Sequence, residues 1–252
     1  MATFRKQVRQ FNYALDEHLS RAVKWILLAN IVVFLLDVLL IAPLGLETLF
    51  LEIFAQNPVV QPVRTGDELV LDINWLAGMQ FFTYMFLHAD FWHLFWNMLG
   101  LYFFGPPMEY HFGTTRFAKY YLICGFLAGM THGLIAPFFF GFGRDYVMLG
   151  ASGAVLAVLL AFGYSFPHQR ILLWFIVPIP ARVLVILIGF LTVMALFHGR
   201  QTNVSDLTHL AGLGFGLLWI YLRERFPYWW PFNDDPAPFS RHVEPPPRYG
   251  RY

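Results

Sequence analysis

The sequence predicts an all-α membrane protein, a single domain of six transmembrane helices with a long first outer loop and both termini cytoplasmic. Three observations carry this. Of the 252 residues, 58% are hydrophobic and only 13% charged, with a mean hydropathy of +0.53, which is the composition of a membrane protein rather than a soluble domain. The apolar residues collect into six runs separated by polar or proline-containing connections. The basic residues fall on alternate connections. The net charge of +1 favours neither nucleic acid nor an acidic partner. Cys124 is the only cysteine, which excludes an intramolecular disulfide and a thiolate zinc cluster.

Residues 1–24 read as a basic cytoplasmic segment, with Arg5, Lys6, Arg9, Arg21 and Lys24. No small-x-small cleavage site follows, so the first apolar run reads as a retained span and not a signal peptide. That span covers about residues 25–42, with Asp37 near enough to its outer end to reach the interface. The connection up to Asp90 holds a helix candidate at 46–54, a turn-rich stretch at 57–72, and an aromatic interfacial piece at 75–86. The second span is expected at 91–108, ended by Pro106-Pro107, and the third at 117–138. The fourth is 152–166, the fifth 179–197 and the sixth 207–222. The six-span domain is thus 25–222, and 223–252 is a Pro- and Arg-containing cytoplasmic tail, read as irregular.

Orientation follows from the positive-inside rule. A cytoplasmic N-terminus places Arg116, Lys119, Arg170, Arg182, Arg223 and Arg225 inside, and leaves Arg64, Arg144 and Arg200 outside with most of the loop acids.

Candidate chemistry centres on Gly150-Ala151-Ser152-Gly153 at the start of the fourth span. Taken alone, the stretch also reads as a helix-packing patch, since Gly153, Ala157 and Ala161 recur at four-residue spacing. Depth brings in its partners. At about 1.5 Å rise per residue, Ser152 lies roughly 22 Å above the cytoplasmic end of its span. His209 in the sixth span and Asn97 in the second lie at about 21 Å by the same measure, with His93 one turn higher. His93 and Asn97 share a helix face, and His209, Gly212 and Gly216 form a second small-residue stripe. A serine hydroxyl becomes nucleophilic when a neighbouring base takes its proton, and histidine is the usual base near neutral pH. Ser205-Asp206 reads as a helix cap, so the expected unit is a Ser152–His209 dyad without an acid. His93, Asn97 and the Ser152 backbone N–H are the candidate oxyanion donors. His132 and His198 read as core histidines.

On these residues the chain resembles the rhomboid intramembrane serine proteases over about residues 25–222. The motifs are Gly150-Ala151-Ser152-Gly153; His88, His93 and Asn97; Gly105, Glu109 and Gly113; and His209, Gly212 and Gly216. The resemblance implies a six-helix rhomboid bundle with an outward-opening aqueous cavity that transmembrane substrates enter from lipid. Ser152 would be the nucleophile, His209 the base, and His93 and Asn97 the oxyanion hole; Glu109 and His88 would be structural. It implies no cofactor and no metal, with transmembrane proteins and the lipid bilayer as partners and no nucleic acid. A multi-pass protein of the bacterial inner membrane is the expected setting.

The chain departs from the family pattern in places. Met79 and Gln80 stand where many relatives carry Trp-Arg, Leu156 where some carry an aromatic, and Thr208 where Ala is common. Two other readings compete with an active endopeptidase. One is a catalytically silent relative that binds transmembrane clients; the other is a haem or metal protein using His88, His93 and His209. The soluble hydrolase serine motif is not matched, because Ala154 replaces its second glycine.

Overall fold

The computed structural model describes residues 19–65, 68–135, 137, 147–173, 176–197 and 203–226. Expectations for residues 1–18, for the tail beyond 226, for the end of the third span, and for Arg144, His198 and Arg200 lie outside these residues.

The chain opens with helix α1, Arg21–Leu36, which widens into a π-helical turn at Asp37–Ile41. Among the described residues, Arg21–Ile41 is the one helix both long and apolar enough, by length and composition, to cross a membrane. Ser20 stands at its N-cap without a side-chain bond. The cap comes from far away in sequence: Glu109 Oε1 accepts from Ala22 N–H and Oε2 from Val23 N–H, both at 2.9 Å. The Glu109 carboxylate thus satisfies donors that a helix start leaves open, and its charge suits the helix dipole there.

The described residues of the long connection after α1 form defined elements. It holds α2, Glu47–Phe54, strands β1, Val60–Thr65, and β2, Glu68–Ile73, and α3, Ala77–Thr83, which tightens into a 3₁₀ turn at Tyr84–Phe86. The hairpin pairs antiparallel from Val60↔Ile73 to Thr65↔Glu68, where the sequence suggested only turns. Pro62 lies within β1, opposite Leu71; in a two-stranded ribbon each strand has a free edge, where a proline's missing N–H costs nothing. The same holds for the second hairpin, β3 (Arg170–Leu173) and β4 (Val177–Pro180), in which Pro178 pairs Leu172 and Pro180 pairs Arg170.

Helix α4 runs Phe91–Phe112 and α5 runs Thr114–Met130. Pro106-Pro107 does not end α4, contrary to expectation; the helix passes through both prolines. Prolines remove two backbone donors, a loss that helices packed among neighbours tolerate. The stop is Gly113, at φ +84, a left-handed C-terminal position that glycine adopts readily. Next to the prolines, Gly105 admits α1 closely, since a Cβ there would meet Val23 Cγ2 at 2.6 Å.

Helix α6, Ser152–Ser165, lies at the centre of the bundle. Ala154, Ala157, Val158 and Ala161 along it are buried. It packs against α4, α5, α7 (Ala181–Phe197) and α8 (Asn203–Arg225). Helix α8 begins two residues before Ser205, so Ser205-Asp206 lies inside its first turn and is not the cap the sequence suggested. Large apolar side chains on the outer helices face outward, with Leu39 70% and Ile186 69% exposed. The mostly helical structure with an apolar exterior is that of a membrane bundle.

Candidate active site

Three elements converge where α6 begins. Gly150 precedes it with φ +123, a conformation that strains any residue with a Cβ. Its N–H donates to the Tyr84 carbonyl oxygen at 3.0 Å. A Cβ on Gly150 would lie 2.6 Å from His93 Nε2 and 2.7 Å from His93 Cε1, so the Nε2–Cε1 edge of the His93 ring packs against the serine loop. Glycine is required here by both backbone angle and space.

Ser152 is the first residue of α6. Its Oγ lies 2.7 Å from His209 Nε2 of α8. The approach of the two helices makes that distance possible. A Cβ on Gly212 would overlap the Gly153 carbonyl oxygen and come within 2.9 Å of Gly153 Cα, while one on Gly216 would come within 3.1 Å of Ala157 Cα. Gly153 in turn faces Ala128 Cβ of α5, 3.0 Å from where its own Cβ would be. Absent side chains at these positions let the backbones of α6 and α8 touch.

The other ring nitrogen, His209 Nδ1, is 3.9 Å from Asp206 Oδ1, too far for a hydrogen bond. His93 stands in the first turn of α4, capped by Asp90, whose Oδ1 accepts from His93 N–H at 2.9 Å. Its ring meets that of His88 edge to face, with centroids 5.1 Å apart. His88 is buried. Asn97 is buried one turn below His93, where its Nδ2 donates to the His93 carbonyl oxygen at 2.8 Å. That bond engages one of its two amide hydrogens. Glu109 and Gly113 are at the far end of α4, tying α1, α4 and α5 together; Thr114 Oγ1 also donates to Glu109 Oε1, at 2.8 Å. Among the described residues no group of three His, Cys, Asp or Glu side chains converges as a metal-binding set.

The loop carrying Ser152 is braced by Gln56, Tyr84 and Met148, which sequence reasoning did not single out, and by Gln80 and Thr208, which it noted only as departures from the family pattern. Met148 and Gln56 exchange both backbone hydrogen bonds, at 2.8 and 2.9 Å. Thr208, fully buried beside the histidine, donates from Oγ1 to Met148 Sδ at 3.0 Å. Tyr84, also fully buried, donates its hydroxyl to the Gly125 carbonyl oxygen at 2.7 Å. Gln80, one of the two departures in the connection between α1 and α4, is fully buried. Its Nε2 donates to the Glu52 carbonyl oxygen at 2.7 Å, and its Oε1 accepts from Asn74 Nδ2 at 2.7 Å and Asn57 N–H at 3.2 Å.

Comparison with known proteins places this arrangement. The family model "Rhomboid domain" matches residues 77–226, which include every glycine, histidine and serine of this site. RHOMBOID-like protein 12, mitochondrial, of Arabidopsis thaliana is 33% identical over 155 residues, 56% of this chain and 46% of its own. Rhomboid protein 1, mitochondrial, of Saccharomyces cerevisiae is 34% identical over 135 residues, 53% of this chain and 38% of its own. Rhomboid-like protein 11, chloroplastic, of Arabidopsis thaliana is 30% identical over 172 residues, 66% of this chain and 59% of its own. The matches therefore span roughly half the length of these relatives. Two are named as mitochondrial and one as chloroplastic, so the bacterial inner membrane expected above finds no support in them. With its family model covering more than half of the sequence and centred on the helices that carry Ser152 and His209, this chain belongs to the rhomboid family of integral membrane proteins.

Proposed function

We propose that the chain is an intramembrane serine endopeptidase, hydrolysing peptide bonds in or near transmembrane segments of other membrane proteins. The observation that carries this is the 2.7 Å separation of Ser152 Oγ and His209 Nε2. In the proposed reaction His209 Nε2 takes the hydroxyl proton as Oγ attacks the scissile carbonyl carbon. The negative charge that develops on the carbonyl oxygen is met by the Ser152 backbone N–H at the start of α6 and by the side chains of His93 and Asn97. His209 returns its proton to the leaving amine as the C–N bond breaks. Water, deprotonated by His209, then attacks the acyl-serine ester, and the proton goes back to Ser152 as the ester breaks. Asp206 stays outside hydrogen-bond distance, so the unit works as a dyad.

In this reading α1 and α4 to α8 are the six spans and residues 25–222 the protease domain, flanked by cytoplasmic segments 1–24 and 223–252. The positive-inside distribution supports cytoplasmic termini, which puts Ser152 below the outer edge of the hydrocarbon core. Substrates are transmembrane proteins that enter from the bilayer. His88, Gly105, Glu109, Gly113, Gly150, Gly153, Gly212 and Gly216 hold the frame, supported by the packing and capping contacts described above.

A fluorophosphonate probe on detergent-purified protein tests this, with Ser152→Ala in parallel. The parent should be labelled and the variant not. Equal labelling of both removes Ser152 as the nucleophile; no labelling of a folded parent favours a silent client-binding relative.

A further inference from the structure

A cleft of about 370 Å³ opens between α1, α2 and the α3 segment. Leu36 and Leu40 form one wall, Phe50 and Phe54 the second, and Phe82 and Phe86 the third. Thr83 is the one polar side chain among its lining residues, and its hydroxyl already donates to the Phe54 carbonyl oxygen at 2.6 Å. The walls therefore offer water no open hydrogen-bonding group, and an apolar site of that kind does not hold water. Left empty, a space of this size would forfeit the dispersion contacts of three aromatic and aliphatic walls. An apolar occupant suits it.

The surroundings indicate which occupant. The cleft merges with the outward face of α1, where Leu36 is 50%, Leu39 70% and Leu40 50% exposed. In a membrane protein that face is covered by hydrocarbon, and the widened turn at Asp37–Ile41 forms part of the cleft's edge. We propose that the cleft binds one acyl chain of a phospholipid, inserted alongside α1. Assigning that lipid to the outer leaflet rests on the topology proposed above; the acyl-chain assignment does not.

Occupancy has a structural consequence. Phe82 and Phe86 face the cleft from the same short segment that turns Tyr84 inward to Gly125 and accepts the Gly150 N–H. A chain in the cleft packs the outer side of the segment that backs the serine loop.

The test uses full-length protein reconstituted in phosphatidylcholine vesicles in which one acyl chain carries a diazirine. After irradiation, adducts are mapped by mass spectrometry. Adducts should be several-fold enriched on Leu36, Leu40, Phe54 and Phe86 over Ile186 and Leu191 of α7, which are 69% and 55% exposed. A map with no such enrichment overturns the proposal. Val33→Trp, which fills the cleft from α1, should abolish the enrichment while α7 adducts persist; enrichment that survives the filling also overturns it. Should that variant not fold, the parent's map decides alone. Displacement of the adducts by a transmembrane substrate peptide would assign the cleft to substrate and refute the lipid site. None of these readouts needs proteolysis, so failure of the protease reading leaves them intact.

Discussion

Gly153 of α6 and Gly212 of α8 meet backbone to backbone, with no room for a Cβ on Gly212. This contact, three residues beyond His209 and one beyond Ser152, sets the distance between nucleophile and base. Gly212→Ala should therefore push the helices apart, costing about 1–3 kcal/mol of stability as overpacking does, and most of the activity. Gly214 provides the control. A Cβ there meets nothing within 4 Å, so Gly214→Ala should be neutral or stabilise by up to about 1 kcal/mol, the helix-propensity difference. Thermal unfolding beside probe labelling of Ser152 reads both. Equal losses in the two variants would mean that the contact does not govern the site.

Glu109 makes a second structural prediction. It caps α1 from α4 and holds Thr114 of α5, so Glu109→Ala leaves two helix N–H groups without their carboxylate. The expected cost is about 1–3 kcal/mol in stability, as for bonds to a charged group. Glu109→Gln should cost less, because one side-chain oxygen still accepts. Turnover per folded molecule should be unchanged in both, since Glu109 lies at the far end of α4 from His93. A fall in turnover without a fall in melting temperature would contradict this.

The connection between α1 and α4 hangs on Gln80. Gln80→Ala removes bonds to Glu52, Asn57 and Asn74 at once, leaving buried polar groups unpartnered at a cost of about 1–3 kcal/mol. Limited proteolysis between α2 and α3 should become faster, well before global unfolding. Unchanged protease resistance would show that the loop is held elsewhere.

The sequence made the helices and the approach of Ser152 to His209 legible because the apolar runs and small-residue stripes behind them are local signals. Apolar runs marked α1 and α4 to α8 closely. The glycine stripes of Gly153, Ala157 and Ala161 and of Gly212 and Gly216 lie at the α6–α8 contact that brings Ser152 to His209. What stayed hidden depends on long-range partners. Neither hairpin was legible: residues 57–72 read as turns and residues 179–180 as the opening of the fifth span, because nothing local says that a strand carrying Pro62, Pro178 or Pro180 will find an antiparallel neighbour. Pro106-Pro107 read as a stop, because nothing local says a membrane helix will absorb two lost donors. The brace of Gln56, Tyr84, Gln80 and Met148 joins residues up to 92 positions apart, which no periodicity announces.

Asp206 tests whether a third catalytic member exists. Its Oδ1 is 3.9 Å from His209 Nδ1, beyond hydrogen-bond distance. Asp206→Asn should keep most of the activity, measured as kcat/KM on a model transmembrane substrate. A loss of several orders of magnitude would mean that the carboxylate closes on the imidazole during turnover and that the unit is a triad.

Asn97 separates an oxyanion role from helix packing. One amide hydrogen is committed to the His93 carbonyl oxygen at 2.8 Å, and the other remains to meet a developing negative charge. If it does so, Asn97→Ala should lower kcat by roughly 10²–10³, about 2.7–4 kcal/mol, with little change in KM, because the interaction strengthens only in the transition state. The loss should be smaller than that of Ser152→Ala, since His93 and the Ser152 backbone N–H still donate. A packing role predicts the reverse pattern. The bond to His93 would then be the whole contribution, and its loss would lower the melting temperature while turnover per folded molecule stayed at the parental level. Single-turnover rates measured beside thermal unfolding distinguish the two, and an unaltered kcat with a lowered melting temperature would remove Asn97 from the oxyanion hole.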